Sequence, residues 1–133
     1  YNYILQEEKD IQYGIVHAVD GYDEISLTGG FKLFTRNGEQ LINPEDIGQK
    51  RIAQSEIFGG NSVADAAKIF TSILDGKGTE AQNKVVLTNA AFALKIVTET
   101  KSFETAFEEA KNSLFGLKAK ECLYKKFSIQ FFL

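Results

Sequence analysis

At 133 residues with 44% hydrophobic side chains, the chain has the size of one domain and enough apolar material for a real core, which excludes disorder. A net charge of −3, with no basic block longer than Lys125-Lys126, excludes the electrostatic footprint of a nucleic-acid-binding protein. There is no run of about 18 apolar residues to span a membrane and no signal-peptide pattern, so a soluble, cytoplasmic protein is expected.

The single cysteine, Cys122, can form no internal disulfide and reads as a packing residue. The chain contains no methionine and opens inside an apolar pattern, which predicts a piece of a longer protein. Tyr1, Ile4 and Leu5 stand at helical spacing, with a strand as the alternative. Gly14-Ile15-Val16-His17-Ala18-Val19 is a short β-branched run that predicts a buried strand, and His17 within it reads as a core or supporting histidine.

That strand leads into the densest chemistry of the chain, Asp20-Gly21-Tyr22-Asp23-Glu24-Ile25-Ser26-Leu27-Thr28-Gly29-Gly30. Asp23 and Glu24 are adjacent hard-oxygen donors in an irregular segment, a set that suits Mg²⁺ or Mn²⁺ better than zinc. Taken by itself the pattern also fits a solvated acidic turn, and on pattern alone that plainer reading is favoured. Ligands in open α/β sheets gather where strands end, which adds weight to a site here.

Downstream, Phe31 to Arg36 and Glu39 to Ile42 flank Asn37-Gly38, the signature of a β-hairpin with a type I′ turn. Asn43-Pro44-Glu45-Asp46 predicts a capped helical turn ending at Gly48. Phe58-Gly59-Gly60-Asn61-Ser62 could offer a phosphate the N-terminus of a helix, but without a lysine or a longer phosphate-loop pattern it reads as a loop and cap. The helix it starts places Val63, Ala66, Ala67, Phe70, Ile73 and Leu74 on one apolar face and stops at Asp75-Gly76. Thr79 with Gln82 caps a long helix, from Glu80 to about Thr100, apolar enough to be central and mostly buried; Asn89 in its middle is expected to pair internally. Ser102 caps a further amphipathic helix closed by Gly116, and a last helix runs from Leu117 to about Lys126. Phe127 to Leu133 alternates like a strand.

Five blocks in order carry a family likeness: Val16 to Ser26, Asn43-Pro44-Glu45-Asp46-Ile47-Gly48, Phe58-Gly59-Gly60-Asn61, Ile73-Leu74-Asp75-Gly76 and Val86-Leu87-Thr88-Asn89-Ala90-Ala91. From about Tyr1 to Gly116, and more loosely beyond, the chain resembles the C-terminal part of the anthranilate phosphoribosyltransferase family. The resemblance implies an α/β fold of the nucleoside phosphorylase/phosphoribosyltransferase-like type, with early strands and a β-hairpin followed by packed helices. Residues 1–133 would be a single fragment of that α/β domain, lacking an N-terminal helical domain and the first half of the α/β domain. The implied reaction moves the 5-phosphoribosyl group of phosphoribosyl pyrophosphate to anthranilate, in tryptophan biosynthesis, in a full-length homodimer. Mg²⁺ is the implied cofactor, and the family's metal-binding pair falls on Asp23 and Glu24. The family's glycine-rich phosphate loop and anthranilate-binding arginine have no counterpart here, so the fragment alone is expected to be inactive. Where the family often continues its Ser-x-Thr with Gly-Pro, Thr28 is followed by Gly29-Gly30, which would loosen the loop's exit. A nucleoside phosphorylase of the same fold, or a non-catalytic binding module built on it, are the alternative readings.

Overall fold

The computed structural model describes residues 1–98 and 101–130. Its elements are α1 (Asn2–Glu7), β1 (Gly14–Ala18), β2 (Phe31–Thr35), β3 (Gly38–Ile42), 3-10 turns at Pro44–Ile47 and Gln54–Ile57, and the helices α2 (Val63–Leu74), α3 (Glu80–Val97), α4 (Phe103–Phe115) and α5 (Lys118–Gln130). The strands form one antiparallel sheet in the order β1-β2-β3, with Ala18 opposite Phe31 and Phe31 opposite Ile42.

Alternation along β2 turns Phe31 and Leu33 inward, where Ala91 and Phe92 of α3 and Phe103 and Ala106 of α4 meet them. A chain of rings joins sheet to helices: Phe31 lies edge-on to Phe92 at 5.2 Å, Phe92 tilts on Phe103 at 5.3 Å, and Phe103 on Phe107 at 5.6 Å. Ile25 and Leu27, from the segment between β1 and β2, are fully buried in the same cluster. The acidic segment therefore has its back in the core.

The helix starts form as their sequences require. Ser62 accepts from the Asp65 N–H, Ser102 from the Thr105 N–H, and Thr79 and Gln82 bond reciprocally at 3.2 and 3.0 Å. Asn43-Pro44 opens a 3-10 turn stopped by Gly48 in the left-handed region at φ 69°.

Several expectations are corrected. The hairpin exists, but Arg36 and Asn37 occupy its turn and neither takes a positive φ; Gly38, at 118°, is the fourth residue. That is the placement of an ordinary type I turn, not type I′. Helix α2 fully buries none of its residues: Val63 and Phe70 stand 89% and 54% exposed, while Ile73, near its C-terminal end, packs against the Leu87, Ala110 and Leu114 cluster of α3 and α4. In α3 only the face bearing Ala81, Leu87, Thr88, Ala91 and Phe92 is buried, while Val86 and Val97 are exposed. His17 points outward, since the two-residue period of β1 sends Ala18 to the core. Cys122 is exposed. The expected terminal strand is helix as far as Gln130, and Phe131 to Leu133 lie outside the described residues, as do Glu99 and Thr100 at the expected end of α3.

Candidate functional site

The segment 19–30 closes β1 onto β2 as a long hairpin connection, with the Val19 N–H donating to the Gly30 carbonyl at 2.9 Å across its neck. It is a link between antiparallel neighbours, so the strand-end rule for open parallel sheets does not describe its setting. What shapes it is local. Gly21 takes φ 92° and donates to the Ala18 carbonyl, turning the chain immediately after Asp20.

Asp20 organises the loop's exit. The Thr28 hydroxyl donates to its carboxylate, and the Ser26 hydroxyl lies 2.9 Å from Thr28 Oγ1 and 3.4 Å from both Asp20 oxygens. Each hydroxyl has one proton to give, so Thr28 serves Asp20 and Ser26 bridges to Thr28 with Asp20 as a weaker second acceptor. The Thr28 N–H closes the knot on Ser26 Oγ at 3.2 Å. Gly29 belongs to it: a Cβ there would stand 2.8 Å from Asp20 Oδ2. At the Gly29-Gly30 exit, the Gly30 carbonyl is bonded across the neck to the Val19 N–H, and Asp20 leaves no room for a side chain at Gly29.

The middle of the loop is held from below. Leu27 adopts φ 61°, an uncommon setting for a branched side chain, with its side chain fully buried and its carbonyl accepting from the Ile52 N–H at 3.1 Å. Ile25 is gripped through its backbone by Asn89 of α3, confirming an internal partner for that asparagine.

On this frame Asp23 and Glu24 face solvent side by side. Neither takes part in a hydrogen bond or ion pair with any described residue, in contrast to Asp20. Two free carboxylates supply hard oxygen donors, and Mg²⁺ characteristically takes one or two carboxylates and completes its octahedron with water and phosphate oxygens. The donor set fits that ion. Among the described residues no cluster of three or more His, Cys, Asp or Glu side chains could hold a metal, so an ion here would complete its shell with water or with the oxygens of a bound ligand. Reading the sequence singled out Asp23 and Glu24 as a candidate pair; it missed the Asp20-Ser26-Thr28 knot and the positive φ of Leu27. The spacing of Asp20 ahead of Ser26 and Thr28 is the only trace of the knot in the sequence.

Three comparisons bear on this geometry. The glycosyl transferase family, a/b domain, matches residues 3–119. The anthranilate phosphoribosyltransferase of Flavobacterium johnsoniae is 47% identical over 125 residues, covering 94% of this chain and 37% of that protein. Crystallised anthranilate phosphoribosyltransferase from Thermus thermophilus superposes with TM-score 0.75 at 23% identity, over 90% of this chain and 36% of that one. The Saccharomyces cerevisiae enzyme, in complex with PRPP and Mg, does so with TM-score 0.72 at 18% identity, over 84% and 32%. The chain spans about a third of the length of these relatives.

Proposed function

This chain belongs to the glycosyl transferase family through its a/b domain, and from that premise we propose that it is part of an anthranilate phosphoribosyltransferase, transferring the 5-phosphoribosyl group of phosphoribosyl pyrophosphate to the amine of anthranilate. The observation that carries the proposal is the close likeness of nearly the whole chain to a relative of that name. The unpaired carboxylates on a braced loop support it.

In this reading Asp23 and Glu24 hold Mg²⁺ associated with the pyrophosphate. The chemistry such an ion supplies is neutralisation of the charge that gathers on the departing pyrophosphate. The chain's own part is to present two carboxylates at a fixed place without drawing them into internal bonds. Asp20 is engaged instead by the loop's own hydroxyls, Thr28 and Ser26, and stands apart from the free pair. The amine of anthranilate can attack the ribose carbon directly, so a covalent nucleophile is not required, and Cys122 on the last helix has no role in this scheme.

The same likeness supports further proposals. The phosphate-binding loop and anthranilate contacts come from other parts of a longer polypeptide, which works as a homodimer in the cytoplasm. This chain alone should then give no phosphoribosylanthranilate with Mg²⁺ and both substrates. In the intact enzyme, replacing Asp23 and Glu24 together by Ala should lower kcat/KM by at least about a hundredfold, the scale of losing a charge-stabilising group, and raise the Mg²⁺ concentration needed for half-maximal rate. Unchanged kinetics would remove the metal assignment, and turnover by the chain alone would overturn the division of contacts.

A further inference from the structure

We infer that Asn89 is a positioning residue for the Asp23-Glu24 pair, an inference that rests on the cation-binding reading above. Asn89 lies 64 residues beyond Ile25, in the middle of α3. Its Oδ1 accepts from the Ile25 N–H at 3.0 Å, and its Nδ2 donates to the Ile25 carbonyl at 2.8 Å and to the Val85 carbonyl at 2.9 Å. Only one orientation of the amide satisfies all three contacts. Turned over, its NH₂ would face an N–H and its oxygen would face two carbonyls.

A side-chain amide that takes both polar groups of one residue acts on it as a neighbouring β-strand would, fixing the planes of the peptides on either side. The plane held through the Ile25 N–H is the peptide joining Glu24 to Ile25, so the clamp sets the direction in which the Glu24 side chain leaves the backbone. Its bond to the Val85 carbonyl in turn fixes the amide against its own helix. At the other end, Asp20 is held by Ser26 and Thr28. Between these anchors lie only Gly21, Tyr22, Asp23 and Glu24, so the two free carboxylates sit on a short span with both ends fixed.

A purely structural role is the competing account, because the Ile25 backbone is buried and needs partners whatever the loop does. The two differ in what a displaced amide should do. Asn89→Gln keeps donor and acceptor but moves them by one methylene, whereas Asn89→Ala removes them. With Mn²⁺ alone as probe and intact enzyme, electron paramagnetic resonance of free Mn²⁺ measures affinity, and urea denaturation measures stability. The inference expects the site to vanish in the Asp23→Ala/Glu24→Ala variant and to weaken by about tenfold or more in both Asn89 variants, the usual effect of removing a group that orients a metal ligand. Asn89→Gln should show this with the smaller loss of stability, and it decides the matter if Asn89→Ala fails to fold. Lowered stability with unchanged Mn²⁺ affinity in Asn89→Gln would overturn the inference and leave the metal reading standing. An Mn²⁺ isotherm insensitive to loss of Asp23 and Glu24 would remove both.

Discussion

Truncating Phe92 tests whether the sheet and the helices share one core. Phe92 is 4% exposed, meets Phe31 edge-on at 5.2 Å and leans on Phe103 at 5.3 Å. Burial of a phenylalanine contributes about 2–3 kcal/mol, and each aromatic contact adds about 0.5–1.5 kcal/mol. Phe92→Ala should therefore cost about 3–5 kcal/mol, the usual range for large core truncations. With a urea slope of about 2 kcal/mol per molar, the unfolding midpoint falls by roughly 2 M. Phe92→Leu keeps a branched apolar stem and loses the ring edges, so its cost should be about 1–2 kcal/mol and its shift roughly 0.5–1 M. Far-UV circular dichroism is the assay, since the chain has no tryptophan. A Phe92→Ala midpoint within about 0.5 M of the parent would mean that the ring chain does not couple sheet to helices.

Two other regions give sharp expectations. Lys120 of α5 donates to Asp75, beyond the end of α2, at 2.6 Å, and this bond with its attendant charge holds the Asp75 carboxyl below its ordinary value and the Lys120 ammonium above its own. A depressed acid stabilises above its unfolded pKa and loses that contribution as pH falls through the folded one; a raised base loses its contribution as pH rises through the folded one. Docking of α5 should thus be pH-independent between about pH 4 and 10 and weaken below and above that window, and Asp75→Asn should flatten both limbs in amide exchange of α5; limbs that persist would refute the pairing. Arg36 donates to the carbonyls of Gln6, Glu8 and Ile11 while lying 5.8 Å over the Tyr13 ring, which ties residues 1–13 to the hairpin. Arg36→Lys keeps the charge but not the fork, so tryptic cleavage after Lys9 should accelerate several-fold, by the loss of about 1–2 kcal/mol of hydrogen bonding; an unchanged cleavage rate would show that charge alone suffices.

Local chemistry was legible wherever a residue acts on its near neighbours. Ser62, Thr79 and Ser102 cap helices because each reaches a donor three residues away, and Asn43-Pro44 starts its turn for a similar reason. Periodicity carried the buried face of α4, but along α3, whose apolar residues run almost all round, it gave no single face. Along α2 it marked an apolar face that the α3 and α4 cluster meets at Ile73 but not at Val63 or Phe70, because a pattern tells which side of a helix seeks apolar company but not how much of it this chain provides. Asp23 and Glu24 stood out as a pair, yet the internal bonding that sets Asp20 apart from them did not, since that depends on Leu27 turning to φ 61° and bringing Thr28 back onto Asp20. The tail failed for a different reason: alternation of apolar residues over a few positions fits a helix nearly as well as a strand.

The reach of the Asn89 clamp also orders events during synthesis. Because the residue that grips Ile25 is made 64 positions after it, the loop emerges from the ribosome with its neck and its Asp20 knot available but without its central anchor. Closing so distant a contact is slow compared with forming a hairpin or a helix turn. A nascent chain halted before α3 would carry every residue of the loop without the Asn89 anchor of Ile25.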